Sequence, residues 1–257
     1  MARIHRTQTG QTCTLVIDNP SKRNAFSGDM AAKLDEFLGE ADRDPRVRCI
    51  IITGEGDTAF SSGHDLGEMI DHLEHAFGKD VNAGFMRPLT VRKPVIAAVN
   101  GFAYAAGFIL AMSCDIRVAS ENARFSTPGA KVGLLPIGGQ LSRLFHLLPH
   151  GKVLQLLYTG APMSAAEAHM LGFVSALTAT GKVLEAANEM AAQICANSPA
   201  VVREIKRGVE HAMRRGVGPG ENFEWATAEA LLTSPDMREG IRAFLEKRPP
   251  RFQDPTE

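Results

Sequence analysis

The sequence predicts an α/β protein, and three observations carry that reading. Strand-like and helix-like segments alternate through the first half of the chain. Two of the strand-like runs, Val47–Thr53 and Val95–Val99, are apolar on both faces, as strands covered from both sides of a parallel sheet are. Helical spacing dominates after Gly138.

The elements follow in order. Thr12–Ile17 is rich in β-branched residues and stops at Asp18-Asn19-Pro20, a strand followed by a turn. Ser27 offers an N-cap to a helix on which Met30, Leu34, Phe37, Leu38 and Ala41 share a face, and Asp44-Pro45 ends it. After the Val47–Thr53 strand and a loop from Gly54 to Gly63, Leu66, Met69, Ile70, Leu73, Ala76 and Phe77 mark a second amphipathic helix, interrupted at Gly78-Lys79-Asp80. A further helix precedes Lys93-Pro94. Val95–Val99 then runs as a buried strand into Asn100-Gly101, a short helix of small residues follows, and Ile116–Ala119 is the next strand. Residues 1–195 read as a core, and 196–257 as a helical portion with segments Val201–Met213, Phe223–Leu232 and Pro235–Lys247.

The 257 residues suffice for one large domain, with 44% hydrophobic composition. A net charge of −1 gives no reason to expect nucleic acid or an acidic membrane surface as a partner. The N-terminal residues lack a signal-peptide core, and no run approaches the roughly 18 apolar residues of a membrane span, so a cytoplasmic protein is expected. Cys13, Cys49, Cys114 and Cys195 lie far apart, without the paired spacing of a zinc or dithiol site, and read as buried free thiols. No metal is expected.

Two small-residue turns lead from strands into helices, at "FSSGHDLGEM" (60–69) and at "NGFAYAAGFILAMSCD" (100–115). A main-chain N–H at such a helix start lacks an intrahelical acceptor and sits at the positive end of the helix dipole. Two converging N–H groups form an oxyanion hole, whereas either turn alone is better explained by packing.

The segments "NPSKRNAFS", "FSSGHDLGEM", "VNGFAYAAGFILAMSCDIRVAS", "FSTPGAKVGLLPIGG" and "REGIRAFLEKRPPRF", in this order and at these spacings, resemble the enoyl-CoA hydratase/isomerase (crotonase) superfamily over almost the whole chain. The combination of "SSGHDL", "AAG" and "TPG" looks most like the branch termed enoyl-CoA hydratase domain-containing protein 3. The resemblance implies a spiral of ββα units followed by a helical trimerisation region, trimers that often pair into hexamers, and an acyl-CoA thioester as ligand with no separate cofactor. It implies that the N–H groups of His64 and Ala106 grip the thioester oxygen. It also implies that the backbone around Ser62, His64 and Leu66, with Ala25, lines the adenine pocket, and that Phe244 and Lys247 approach the CoA of a neighbouring subunit. Lys247 reads equally as a helix-end cation meeting its own carbonyls.

Relatives of this family hydrate with two glutamates. The matching positions here are Ile109 and Gly129, neither of which transfers a proton. Three readings stay open: an enoyl-CoA hydratase/isomerase-like enzyme with another proton carrier, a catalytically silent acyl-CoA binder with a sequestering or regulatory role, and a scaffold that keeps only the trimeric architecture. Substitute groups are not singled out. The His64 ring is a base, a phosphate ligand or a bystander, a lone loop histidine being most often the last. Asp65 is expected to hold its loop through backbone hydrogen bonds. Glu68, Asp71, Glu74, His72 and His75 read as a solvated helix face, Lys131 as solvent-facing, and Tyr104 as a hydrogen-bond donor or a packing ring.

Overall fold

Two strands open the chain, β1 (Arg3–Thr9) and β2 (Thr12–Asp18), paired antiparallel across a tight turn at Gly10-Gln11. The computed structural model describes residues 2–69 and 83–254, and only the main chain of Leu66 and Met69. From β2 the sheet grows by parallel pairing through β3 (Cys49–Gly54), β5 (Val95–Val99), β7 (Ile116–Ser120) and β10 (Ala176–Thr178). A second, smaller sheet is built from β4 (Ala59–Ser61), β6 (Phe102–Tyr104), β8 (Arg124–Ser126) and β9 (Met163–Ser164). After β3, β5 and β7 the chain steps each time into one strand of the smaller sheet. These are the turns of a spiral.

Helices pack on this frame: α1 (Met30–Arg43), α2 (Leu66–Met69), α3 (Ala83–Met86), α4 (Ala106–Ser113), α5 (His150–Thr159), α6 (Ala165–Met170) and α7 (Val183–Cys195). The run α8 (Pro199–Arg215), α9 (Val217–Leu231) and α10 (Pro235–Leu245) completes the chain.

The two-sided burial of the central strands has a direct cause. In β3, Ile50 and Ile52 join the main core with Leu34 and Leu38 of α1, while Cys49 and Ile51 join a second core with Val183, Ala187, Ala191 and Cys195 of α7. Successive side chains point to opposite faces, so a strand covered on both sides must be apolar at every position. All four cysteines are buried and unpaired.

Several local expectations are corrected. β1 was unexpected because its surface is mostly exposed, and its sequence, RIHRTQT, has no apolar alternation. Ser27 does not cap α1. Asp29 occupies that position without a side-chain hydrogen bond, and Ser27 O instead accepts the Met30 N–H. The strand expected at Val47 starts at Cys49, and the helix expected at Phe223 starts at Val217, with Pro219 in its first turn, where a missing N–H costs little. Residues 70–82, including most of the second amphipathic helix read from the sequence, with Asp71, His72, Glu74 and His75, lie outside the described residues.

Candidate active site

The site forms where the chain leaves β4 and β6. Phe60 and Ser61 are buried, and the chain then turns at Gly63, whose φ of 97° lies in the region that favours glycine. A Cβ on Gly63 would lie 3.0 Å from Ala106 N, 3.1 Å from Ala105 Cβ and 3.2 Å from Tyr104 O. One on Gly107 would lie 2.2 Å from Ser61 O. The two small-residue turns are therefore in contact, and these glycines are what lets them approach. By standard bond lengths, the N atoms of residues 64 and 106 are then no more than about 7 Å apart. Two donors each about 3 Å from one oxygen span up to about 6 Å.

Their directions follow from the hydrogen bonds around them. Residue 64 forms an isolated parallel bridge with Phe26. Phe26 N–H donates to Gly63 O and Asp65 N–H donates to Phe26 O, both at 2.8 Å. In parallel pairing the peptide groups flanking a residue point at the partner strand, and that residue's own N–H points the other way. The 64 N–H accordingly faces away from Phe26. Ala106 is the first residue of α4, where N–H groups lie beyond the reach of the helix's own carbonyls.

Ala105 holds this start in place at a cost. Its φ of 49° and ψ of −118° are unusual for a residue with a Cβ. Its N–H donates to Ser126 O at 3.0 Å, and its carbonyl accepts the Ile109 N–H at 3.0 Å.

Both turns open on a cavity of about 580 Å³. Lys22, Ala25, Ser62, His64 and Asp65 line one part of it. Tyr104, Ala106, Ile109, Gly129, Leu134 and Ile137 line another. Lys22 and Asp65 form an ion pair, and Asp65 Oδ1 also accepts the Gly67 N–H at 3.1 Å, so the loop-holding role read for Asp65 is seen. The Lys22 ammonium beside Asp65 keeps its carboxyl below the usual carboxylate range. Burial pushes the Tyr104 phenol up from its ordinary value, which keeps it protonated at neutral pH. The His64 ring packs edge-on against Phe85, with centroids 4.9 Å apart, and Phe85 is fully buried.

The departed glutamate positions are brought together as cavity wall. Ile109 is buried, and a Cβ at Gly129 would lie 2.7 Å from Leu134 O, so the present backbone leaves no room for a carboxylate side chain there. Of Leu66 only the main chain is described. Phe244 and Lys247 stand apart from the cavity at the end of α10, with Phe244 84% exposed. Glu68 and Lys131 are exposed, as a solvated face requires, and Glu68 Oε2 accepts the Gly28 N–H at 2.7 Å.

Sequence reasoning missed three polar groups. Lys22 at the cavity was one. Gln140 is another, 3% exposed, donating through Nε2 to Ile137 O at 2.9 Å. The third is Asn100, whose Nδ2 donates to Gly54 O, Gly56 O and Ala59 O while Oδ1 accepts from Gly54 N, fixing the approach to β4. "VNG" was read only as a turn, although an asparagine directly after a buried strand is a signal of this kind.

Comparison with known proteins places the chain in a family. Residues 7–255 match the enoyl-CoA hydratase/isomerase family, and the chain belongs to it. It is 35% identical to the short-chain-enoyl-CoA hydratase of Clostridium acetobutylicum, covering 93% of each chain. It is 36% identical to the carnitinyl-CoA dehydratase of Salmonella typhi, covering 96% of this chain and 97% of that one. Among solved structures, an enoyl-CoA hydratase subunit from Geobacillus kaustophilus superposes with a TM-score of 0.91 at 37% identity over 98% of both chains. An enoyl-CoA hydratase from Bacillus anthracis gives 0.94 at 28% identity, over 98% of this chain and 100% of that one.

Proposed function

We propose that this member of the family binds an acyl-CoA thioester with its carbonyl oxygen between the N–H groups of His64 and Ala106. Negative charge that builds on that oxygen, in an enolate or a tetrahedral adduct, meets fixed donors that need no reorganisation. One observation carries the reading: the turn at Gly63 packs directly on Ala105 and Ala106 at the wall of one cavity. Ala25, Ser62, His64 and Leu66 serve the adenine end. Phe244 and Lys247, apart from the cavity of their own chain, serve the CoA of a neighbour in a trimer or a pair of trimers. Exposed Ile205, Val209 and Trp225 on α8 and α9 support such an assembly. Four unpaired thiols suit a reducing cytoplasmic setting. The likeness to the branch of enoyl-CoA hydratase domain-containing protein 3 is part of the same reading.

Addition of water by two glutamates does not operate here, because Ile109 and Gly129 carry no proton. The enzyme reading needs a different proton carrier, and these same two residues favour the alternative of a silent acyl-CoA binder. Replacing Ala106 with proline separates the two. Proline is accepted at the first position of a helix but has no N–H. Turnover of 2-enoyl-CoA or other acyl-CoA is expected to fall about 10²–10³-fold in this variant, the loss of one oxyanion donor. Butyryl-CoA binding in calorimetry, with no product from a mass-spectrometric screen of acyl-CoAs, would instead support the silent binder. Failure to bind any acyl-CoA would refute both.

A further inference from the structure

Ser61 is a fully buried polar side chain set between the two turns. It is the last residue of β4 and pairs with Ala103 of β6, three positions before Ala106. Its carbonyl oxygen would lie 2.2 Å, and its Cβ 2.9 Å, from a Cβ on Gly107, so it packs directly on the start of α4. Its Oγ accepts the Gly63 N–H at 3.1 Å. A buried hydroxyl costs free energy that an alanine in the same place would not. What this one returns is a hold on the peptide between residues 62 and 63.

The Cα of Gly63 is a joint between two peptide planes. The plane after it is held by Phe26, whose N–H donates to Gly63 O at 2.8 Å. In a planar trans peptide the N–H points opposite to the C=O, so this hold turns the 64 N–H away from Phe26. The plane before it is held by Ser61 Oγ at the Gly63 N–H, and between the two clamped planes Gly63 keeps its φ of 97°. The two clamps differ in kind. The one at Phe26 is made of main-chain atoms, which any residue there supplies, whereas the one at Ser61 is a side chain and depends on the sequence. Resting on the acyl-CoA reading above, we infer that Ser61 is a positioning residue of the oxyanion site: its hydroxyl, through Gly63, sets the direction of the 64 N–H, and its main chain, through Gly107, sets how closely the 106 N–H approaches. Without the hydroxyl the buried Gly63 N–H has lost its acceptor, and its peptide turns to find another. That rotation tilts the neighbouring 64 N–H. Hydrogen bonds weaken steeply with angle, so the thioester carbonyl loses polarisation, while the rest of the ligand still supplies binding.

The test reads the carbonyl stretch of butyryl-CoA, isotopically labelled at the carbonyl carbon, by infrared difference spectroscopy of the full-length protein with the ligand fully bound. A carbonyl polarised by hydrogen bonds vibrates at lower frequency, so the wild-type band is expected below its position in water. In Ser61→Ala it is expected to move back by about half of that displacement or more. Ser61→Cys, whose sulfur accepts only weakly, is expected to fall between the two. A merely structural loss lowers stability and leaves the band of the folded, liganded protein where it was. An alanine variant that binds butyryl-CoA with the wild-type band therefore overturns the role of Ser61. Where the alanine variant does not fold, the cysteine variant is read alone: a displaced band supports the role and the wild-type band overturns it. Two other results bear on the reading beneath. A wild-type band at its position in water, with butyryl-CoA bound, overturns the oxyanion site itself, and failure of the wild-type protein to bind butyryl-CoA overturns the acyl-CoA ligand.

Discussion

Ala105 concentrates the site's demands in one residue. It holds φ 49° and ψ −118°, a combination that costs of order 1–3 kcal/mol for a residue with a Cβ, so that Ala106 can begin α4 facing the cavity. Ala105→Gly relieves that strain against the extra entropy glycine loses on folding, and a net stabilisation of about 1 kcal/mol is expected in chemical denaturation. A destabilised variant would mean that the backbone is not strained there. Asn100 makes the opposite case. Its amide serves three carbonyls and its oxygen one N–H, so Asn100→Ala is expected to cost about 3 kcal/mol or more in the same measurement. The two small-residue turns were legible in the sequence, because glycine and small residues between a strand and a helix mark them. The partners of Asn100 and Lys22 were not, since those side chains find theirs only through contacts remote in sequence. Asp44 adds a dependence on pH. Hydrogen bonds from Arg46 hold its carboxyl down at about 2 against an ordinary 3.8. The unfolded chain therefore binds the proton first as pH falls, so this stabilisation is present above about pH 4 and is lost on the way down to about 2, and the excess stability of the wild type over Asp44→Asn in chemical denaturation is expected to shrink over that range.

At the scale of elements, the long and strongly patterned segments were read well. β5 has the bounds expected, Val95–Val99, because a five-residue run buried on both sides between Pro94 and Asn100 has few alternative readings. The second sheet was not seen at all. Its strands are three residues or fewer, too short to show a period of two, and they exist because β3, β5 and β7 set their spacing. The packing of α7 on β3 is testable by itself. Ile51 faces only the second core, so Ile51→Ala is expected to destabilise the protein by about 2–5 kcal/mol while leaving butyryl-CoA affinity within a factor of two once the protein is folded. A selective loss of affinity would show that the two faces of the sheet are coupled.

For the whole molecule, family membership and chemistry separate. The fold holds over nearly the full chain at TM-scores above 0.9, while the two positions where the resemblance implies hydrating glutamates are isoleucine and glycine. What the fold retains is the meeting of two loops, each anchored in a different turn of the spiral. Restoring Ile109→Glu alone is expected to leave crotonyl-CoA hydration close to background, since Leu134 O occupies the approach to position 129 and only one carboxylate would be regained. The most direct measurement is a crystal structure of the protein with a bound, non-hydrolysable butyryl-CoA analogue. The carbonyl oxygen beside the sulfur position is expected about 3 Å from both main-chain nitrogens, of residues 64 and 106. An oxygen more than about 4 Å from either nitrogen, or one held by side chains alone, would contradict the site described here.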